Sequence, residues 1–190
     1  MDTGHPAGAD PAGARYSLGA IVLHWAIAAL IVLNFLLVWT SEDAPKPEHE
    51  ALIANHKAVG LVILALSVLR LAWRAVHPSP PFAETLRAWE AALAKVVHSL
   101  FYLLLLAIPL TGWAMVSFGN GGEPVDIFGL FTVPGLPFAA DRRQAGTVHE
   151  VHELFATLTL VLLALHVAAA IKHQFIDRDT TLARMVPWLK

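Results

Sequence analysis

The chain of 190 residues has no cysteine, which excludes disulfides, zinc–thiolate centres and cysteine-held iron–sulfur clusters. Charge is scarce too. Only 15% of the residues are charged and the formal net charge is −2, so there is no basic surplus for nucleic-acid phosphates. An apolar core is also lacking in Met1 to Arg15, which is rich in Gly, Ala and Pro, does not read as a cleaved signal peptide and is expected to be a disordered tail. What the chain has in quantity is apolar surface, with 56% hydrophobic residues and a mean hydropathy of +0.59. These values lie outside the soluble range and indicate an integral membrane protein.

Four apolar runs account for the surplus, at about Leu18 to Trp39, Ala51 to Trp73, Val96 to Phe118 and Val148 to His173. Each has the roughly 20 residues that span a bilayer, and lipid obliges such a segment to satisfy its own backbone as a helix. Pro109 falls inside the third and should kink it. The expected fold is all-α: an antiparallel four-helix transmembrane bundle forming one domain over residues 16–190. Nine of the 13 Lys and Arg residues fall in the N-terminal tail, the second connection and the C-terminal tail (Arg15, Arg70, Arg74, Arg87, Lys95, Lys172, Arg178, Arg184 and Lys190). The other side keeps Lys46, Lys57, Arg142 and Arg143, so the positive-inside rule puts both termini in the cytoplasm.

The connections differ in character. Ser41 to Glu50 is short and acidic, and His77 to Pro81 is a rigid proline-rich turn followed by an amphipathic lead-in over Ala83 to Lys95. The connection from Gly119 to Thr147 is long, and its apolar middle, Ile127 to Phe138, is expected to lie at the membrane interface over the outer end of the bundle. The Gly119–Gly122 spacing reads as loop rather than a phosphate site. Trp25, Trp39, Trp73, Trp89, Trp113 and Trp188 read mostly as interfacial anchors.

Ten histidines are many for so apolar a chain. His152 and His166 stand fourteen residues apart, about 21 Å of helical rise and roughly 40° short of whole turns, so they leave nearly one face at opposite depths. With the orientation above, His24 matches the depth of His166 on the inner side, and His56 matches His152 on the outer side. Two bis-histidine sites follow, each joining a different helix to the fourth. A lone histidine near a helix end is more often an interfacial residue than a ligand, but four at paired depths reverse that weighting. His149 competes with His152, yet it lies about 100° from the face of His166. His5, His49 and His77 read as ordinary surface residues. His98 and His173 are open between interface residues and the lining of a quinone pocket beside the inner site.

Paired neutral imidazoles without carboxylate or thiolate neighbours argue against catalytic zinc and di-iron carboxylate centres. Haem iron takes axial histidines, and a flat macrocycle needs small residues near its ligands, as Gly60, Gly112 and Ala168 to Ala170 provide. Arg15, Arg70 and Arg74 at the inner end, and Lys57, Arg142 or Arg143 at the outer, are candidate partners of haem propionates. Two histidines per iron leave no open position for oxygen, which makes the pair an electron carrier.

The motifs Leu23-His24-Trp25, Asn55-His56-Lys57-Ala58-Val59-Gly60, His98-Ser99-Leu100-Phe101-Tyr102 and Ile108-Pro109-Leu110-Thr111-Gly112-Trp113 extend this reading. With His152-Glu153-Leu154, Leu165-His166 and Phe175-Ile176-Asp177-Arg178-Asp179, the chain from Tyr16 to Pro187 resembles the bacterial cytochrome b561 family. The resemblance implies a protein of the bacterial inner membrane with two b haems, and places His24, His56, His152 and His166 at the family's ligand positions. It includes a superoxide oxidase that passes an electron from periplasmic superoxide to ubiquinone. By that likeness Lys57, Arg142 and Arg143 would attract the anion. Three readings stand: a superoxide:ubiquinone oxidoreductase, a di-haem anchor subunit feeding quinone from a hydrogenase or dehydrogenase partner, and a haem-free histidine-lined metal transporter.

Overall fold

The computed structural model describes residues 15–81, 86–186, 188 and 189. The expected N-terminal tail therefore lies, but for Arg15, outside the described residues, as do residues 83–85 of the amphipathic lead-in. Four helices follow in order: α1 (Leu18–Glu42), α2 (Lys46–Val76), α3 (Ala88–Asn120) and α4 (Arg142–Lys172). All four are long and apolar enough to cross a membrane. A hairpin of β1 (Val125–Ile127) and β2 (Phe131–Val133) separates the last two, and a π-helical turn over His173–Asp177 extends α4.

Each helix outruns the apolar stretch that announces it. The hydropathy marks only the part meant for hydrocarbon, whereas backbone hydrogen bonding continues into the polar flanks until a cap stops it. Ser17 caps α1, its Oγ accepting from Ala20 N, and Asp141 caps α4 by accepting from Arg143 N and Gln144 N. Helix α2 begins inside the acidic connection, with Pro47 in its first turn. It shortens the expected loop to Asp43–Pro45, which His49 secures through Nδ1, 2.8 Å from the Ser41 carbonyl. Helix α3 runs from the lead-in into the span without a break and ends at Gly121, whose φ of 70° suits glycine.

Contacts between helix ends establish the up-and-down order. Trp73 near the end of α2 donates to Ser17 Oγ at 2.9 Å, and its indole lies where a Cβ on Gly19 would come within 2.4 Å, so glycine is needed at that crossing. Lys172 at the end of α4 meets Glu90 at the start of α3 at 3.2 Å. Trp73 also stacks on His77, so one tryptophan expected to be an interfacial anchor is an internal brace, while the exposed Trp25 donates to the Met185 carbonyl. Helix α1 packs on α2, α2 on α3 and α3 on α4, whereas α1 and α4 make no close backbone contact among the described residues. A slot between α1–α2 and α4 remains, lined by side chains.

The long connection folds back onto the bundle. Val125 and Ile127 are buried against Ala58 of α2, with Leu61, Val116 and Val133 packed around them. Its tight turn, closed by Leu130 N donating to the Ile127 carbonyl at 2.9 Å, puts Phe128 at φ 55° and Gly129 at φ 72°, the two positive values that a type I′ turn has at its centre. Asp126 Oδ2 accepts from Gly129 N at 2.7 Å and holds the turn. Phe128, Leu130 and Phe131 are exposed at the tip, where the interface was expected. The loop is anchored by Trp113 Nε1 donating to the Pro134 carbonyl, Leu136 N donating to Ser117 Oγ, and stacked Phe118 and Phe138.

Candidate functional site

The slot holds two pairs of imidazoles. The His24 and His166 ring centroids are 6.3 Å apart, and so are those of His56 and His152. Two imidazoles on opposite sides of one transition-metal ion, each with its nitrogen about 2 Å away, have centroids roughly 6 Å apart. Both pairs join α4 to the α1–α2 side, one toward each end of α4, as the depth argument requires. The expected partners come together, and they are the expected helices.

The His56–His152 pair lies on a cavity of about 530 Å³, lined among others by Asn34, His56, Gly60, Gly112, His152 and Thr159. Gly112 is small for a reason. A Cβ at that position would come within 3.1 Å of His152 Cε1, so a side chain there would push the ring away. The ring is fixed by the Ile108 carbonyl, 2.9 Å from Nδ1, and by Thr111 Oγ1 at 3.1 Å. Thr111 spends its own proton on the Ile108 carbonyl at 2.8 Å, so both neighbours can only accept and Nδ1 carries the hydrogen. Nε2 then keeps its lone pair for a metal. His56 Nδ1 faces the Asn34 carbonyl at 3.3 Å, with the same consequence. Asn34 Oδ1 and Thr159 Oγ1 are buried without a hydrogen-bond partner on this cavity, which fits a site shaped around a bound group.

His149 also reaches this cavity, but its Nδ1 lies 3.3 Å from Met115 Sδ, and the paired ring is that of His152. Lys57 lines the cavity and acts electrostatically on His56; Glu42 and Glu153 line it as well.

At the other end a third histidine joins the pair. His98 stands 5.8 Å from His166, centroid to centroid, and Phe101 stands 5.5 Å from it. Arg70 lies close enough to act electrostatically on His24, His98 and His166. Arg74 donates to Tyr102 Oη at 3.2 Å and covers the ring at 5.4 Å. Of the basic residues expected at this end, Arg70 is thus beside the pair and Arg74 beside His98.

His173 goes elsewhere. Its Nδ1 lies 2.8 Å from Asp179 Oδ2 and 3.0 Å from Asp177 Oδ2, in a polar recess of about 340 Å³ with Arg87, Trp89, Glu90 and Lys172. Burial alone would push the Asp179 carboxyl up, but hydrogen bonds from Thr181 and His173 outweigh it and hold it below the usual carboxylate range. The sequence reading missed this network. The closely spaced His, Asp and Asp after the last span were its signal, obscured because a π-turn, not an α-turn, brings them together. Arg142 and Arg143 are exposed in the first turn of α4, beside the single N-cap carboxylate of Asp141.

The chain is similar to known proteins along nearly its whole length. It is 32% identical over 175 residues to cytochrome b561 homolog 2 of Escherichia coli, covering 90% of this chain and 91% of that one. It is 29% identical to a Yersinia pestis protein named "Probable superoxide oxidase CybB", covering 91% and 96%. Cytochrome b562 of Cereibacter sphaeroides is 29% identical, covering 90% and 94%. A family model described as prokaryotic cytochrome b561 matches residues 15–188. A family of this kind binds haem b in a bacterial membrane and transfers electrons, and the four apolar helices with an imidazole-lined slot suit that cofactor. The chain therefore belongs to the prokaryotic cytochrome b561 family.

Proposed function

We propose that the protein is a superoxide:ubiquinone oxidoreductase of the bacterial inner membrane, holding two b haems, one between His24 and His166 and one between His56 and His152. The observation that carries this reading is the equal 6.3 Å spacing of two histidine pairs toward opposite ends of α4. Haem held by two imidazoles supplies one-electron chemistry without an open coordination position.

The chain's own residues do the rest. Gly60 and Gly112 admit a flat ring between helices, while the Ile108 and Asn34 carbonyls orient His152 and His56 with Nε2 free. Arg70 and Arg74 are suited to the propionates at one end and Lys57 at the other. Both termini face the cytoplasm in this reading, so Arg142 and Arg143 face the periplasm. There two guanidinium groups against the one Asp141 carboxylate leave the helix N-terminus net positive, which favours drawing in an anion.

The balanced reaction takes two superoxide ions, one ubiquinone and two protons to two dioxygen molecules and one ubiquinol. Uptake of the two protons is assigned to His98, beside His166, and His173, in the polar recess next to Lys172. Purified protein given superoxide and a short-chain ubiquinone should form ubiquinol in that proportion. Reduction only when a dehydrogenase partner is supplied would identify it instead as an anchor subunit, and absence of a reduced b-type absorption band would leave the metal-transporter reading.

A further inference from the structure

The two ends of the slot hold chemically different histidine pairs. At one end His152 Nδ1–H is shared between the Ile108 carbonyl at 2.9 Å and Thr111 Oγ1 at 3.1 Å, and His56 Nδ1 faces the Asn34 carbonyl at 3.3 Å. At the other end neither His24 nor His166 has a ring nitrogen hydrogen-bonded to protein among the described residues. An imidazole that donates its second N–H to an oxygen is the stronger electron donor to a metal, and stronger donors favour the oxidised iron.

Charge acts in the same direction. At the His56–His152 end one cation, Lys57, acts on one ring, His56, and Glu42 and Glu153 line the same cavity. The opposite pair has Arg70 within electrostatic reach of both rings. Net negative charge favours the oxidised state and an added positive charge the reduced one.

We propose that Thr111 is a positioning residue for His152, and that its bond, with the other asymmetries of the slot, makes the haem at the His56–His152 end the lower in potential of the two. This rests on the two-haem reading above and adds a direction to it: one electron moves downhill from the Thr111 end of the bundle to the Arg70 end. The direction leads from the side where Arg142 and Arg143 gather an anion to the side where His98 stands beside His166.

The test is an equilibrium redox titration of the purified holoprotein, followed by visible absorption. Two components are expected. His56→Ala should abolish the lower one and His24→Ala the higher one. Thr111→Val keeps the side-chain volume but removes the hydroxyl; it should raise the lower component, leave the higher unmoved, and weaken haem retention at that end by about tenfold. Thr111→Ser should restore the wild-type potential. If His56→Ala abolishes the higher component, or if Thr111→Val leaves the lower one where it was, the inference is overturned while two bound haems still support the reading beneath it. Fewer than two haems in the wild type overturns both.

Discussion

The hydrogen that Gly112 has in place of a Cβ is what allows His152 to stand where it does. Helix propensity favours alanine over glycine by about 1 kcal/mol, so Gly112→Ala should not weaken α3 itself. Its Cβ would nevertheless press on His152 at 3.1 Å. We expect Gly112→Ala to retain helical content by circular dichroism while losing haem at that end by about tenfold or more. Alanine replacement of the ligands is the complementary test. His56→Ala or His152→Ala should remove one haem, and His24→Ala or His166→Ala the other, as counted by pyridine haemochrome; a variant that keeps both would break the pairing. The pairing was legible in the sequence because a helix converts residue number into depth and angle, and this also favoured His152 over His149. What could not be read was the role of Thr111 and the Ile108 carbonyl, since the bond to His152 spans 44 positions and depends on how α3 and α4 pack. Trp73 misled for a similar reason: an indole near a helix end looks the same whether it meets lipid or a glycine on the next helix.

At the scale of elements, the four spans were legible because lipid leaves few choices for so apolar a segment. Their ends were not, because capping by Asp141 or Ser17 and the proline start of α2 act beyond the apolar run. The hairpin was expected only as an apolar cover; its pairing depends on a three-residue register, Val125 opposite Val133, too short for a periodic signal. Two predictions belong here. Arg142→Glu with Arg143→Glu reverses the charge on the first turn of α4; superoxide-dependent ubiquinone reduction should slow and lose much of its salt dependence. The π-turn after α4 should be sensitive to acid. Asp179 is held below the usual carboxylate range, so its contribution is in place at neutral pH and fades as pH falls below about 4 and through its lowered value. Asp179→Asn should therefore lower the melting temperature at pH 7, with the difference from wild type narrowing toward acid. An equal deficit at every pH would show that the carboxylate charge is not what matters.

Across the whole molecule, the fold is a slot with a different helix on each side of it at each end. Helix α4 supplies one imidazole at each depth, and α1 and α2 supply the opposing ones, which is why α1 and α4 stay apart. Direct packing between them would close the space and leave four imidazoles buried without a purpose. Large apolar side chains such as Leu18, Leu103 and Leu165 face outward, so stability depends on the bilayer and on whatever fills the slot. Filling it should stabilise the folded state, since a ligand that binds only that state adds free energy in proportion to the logarithm of its concentration over its dissociation constant. The central claim, two imidazole pairs each gripping one iron porphyrin, is tested most directly by a pyridine-haemochrome count on the purified, detergent-solubilised chain. The account predicts two b haems per polypeptide; a count that saturates at one, or a colourless protein, would contradict it.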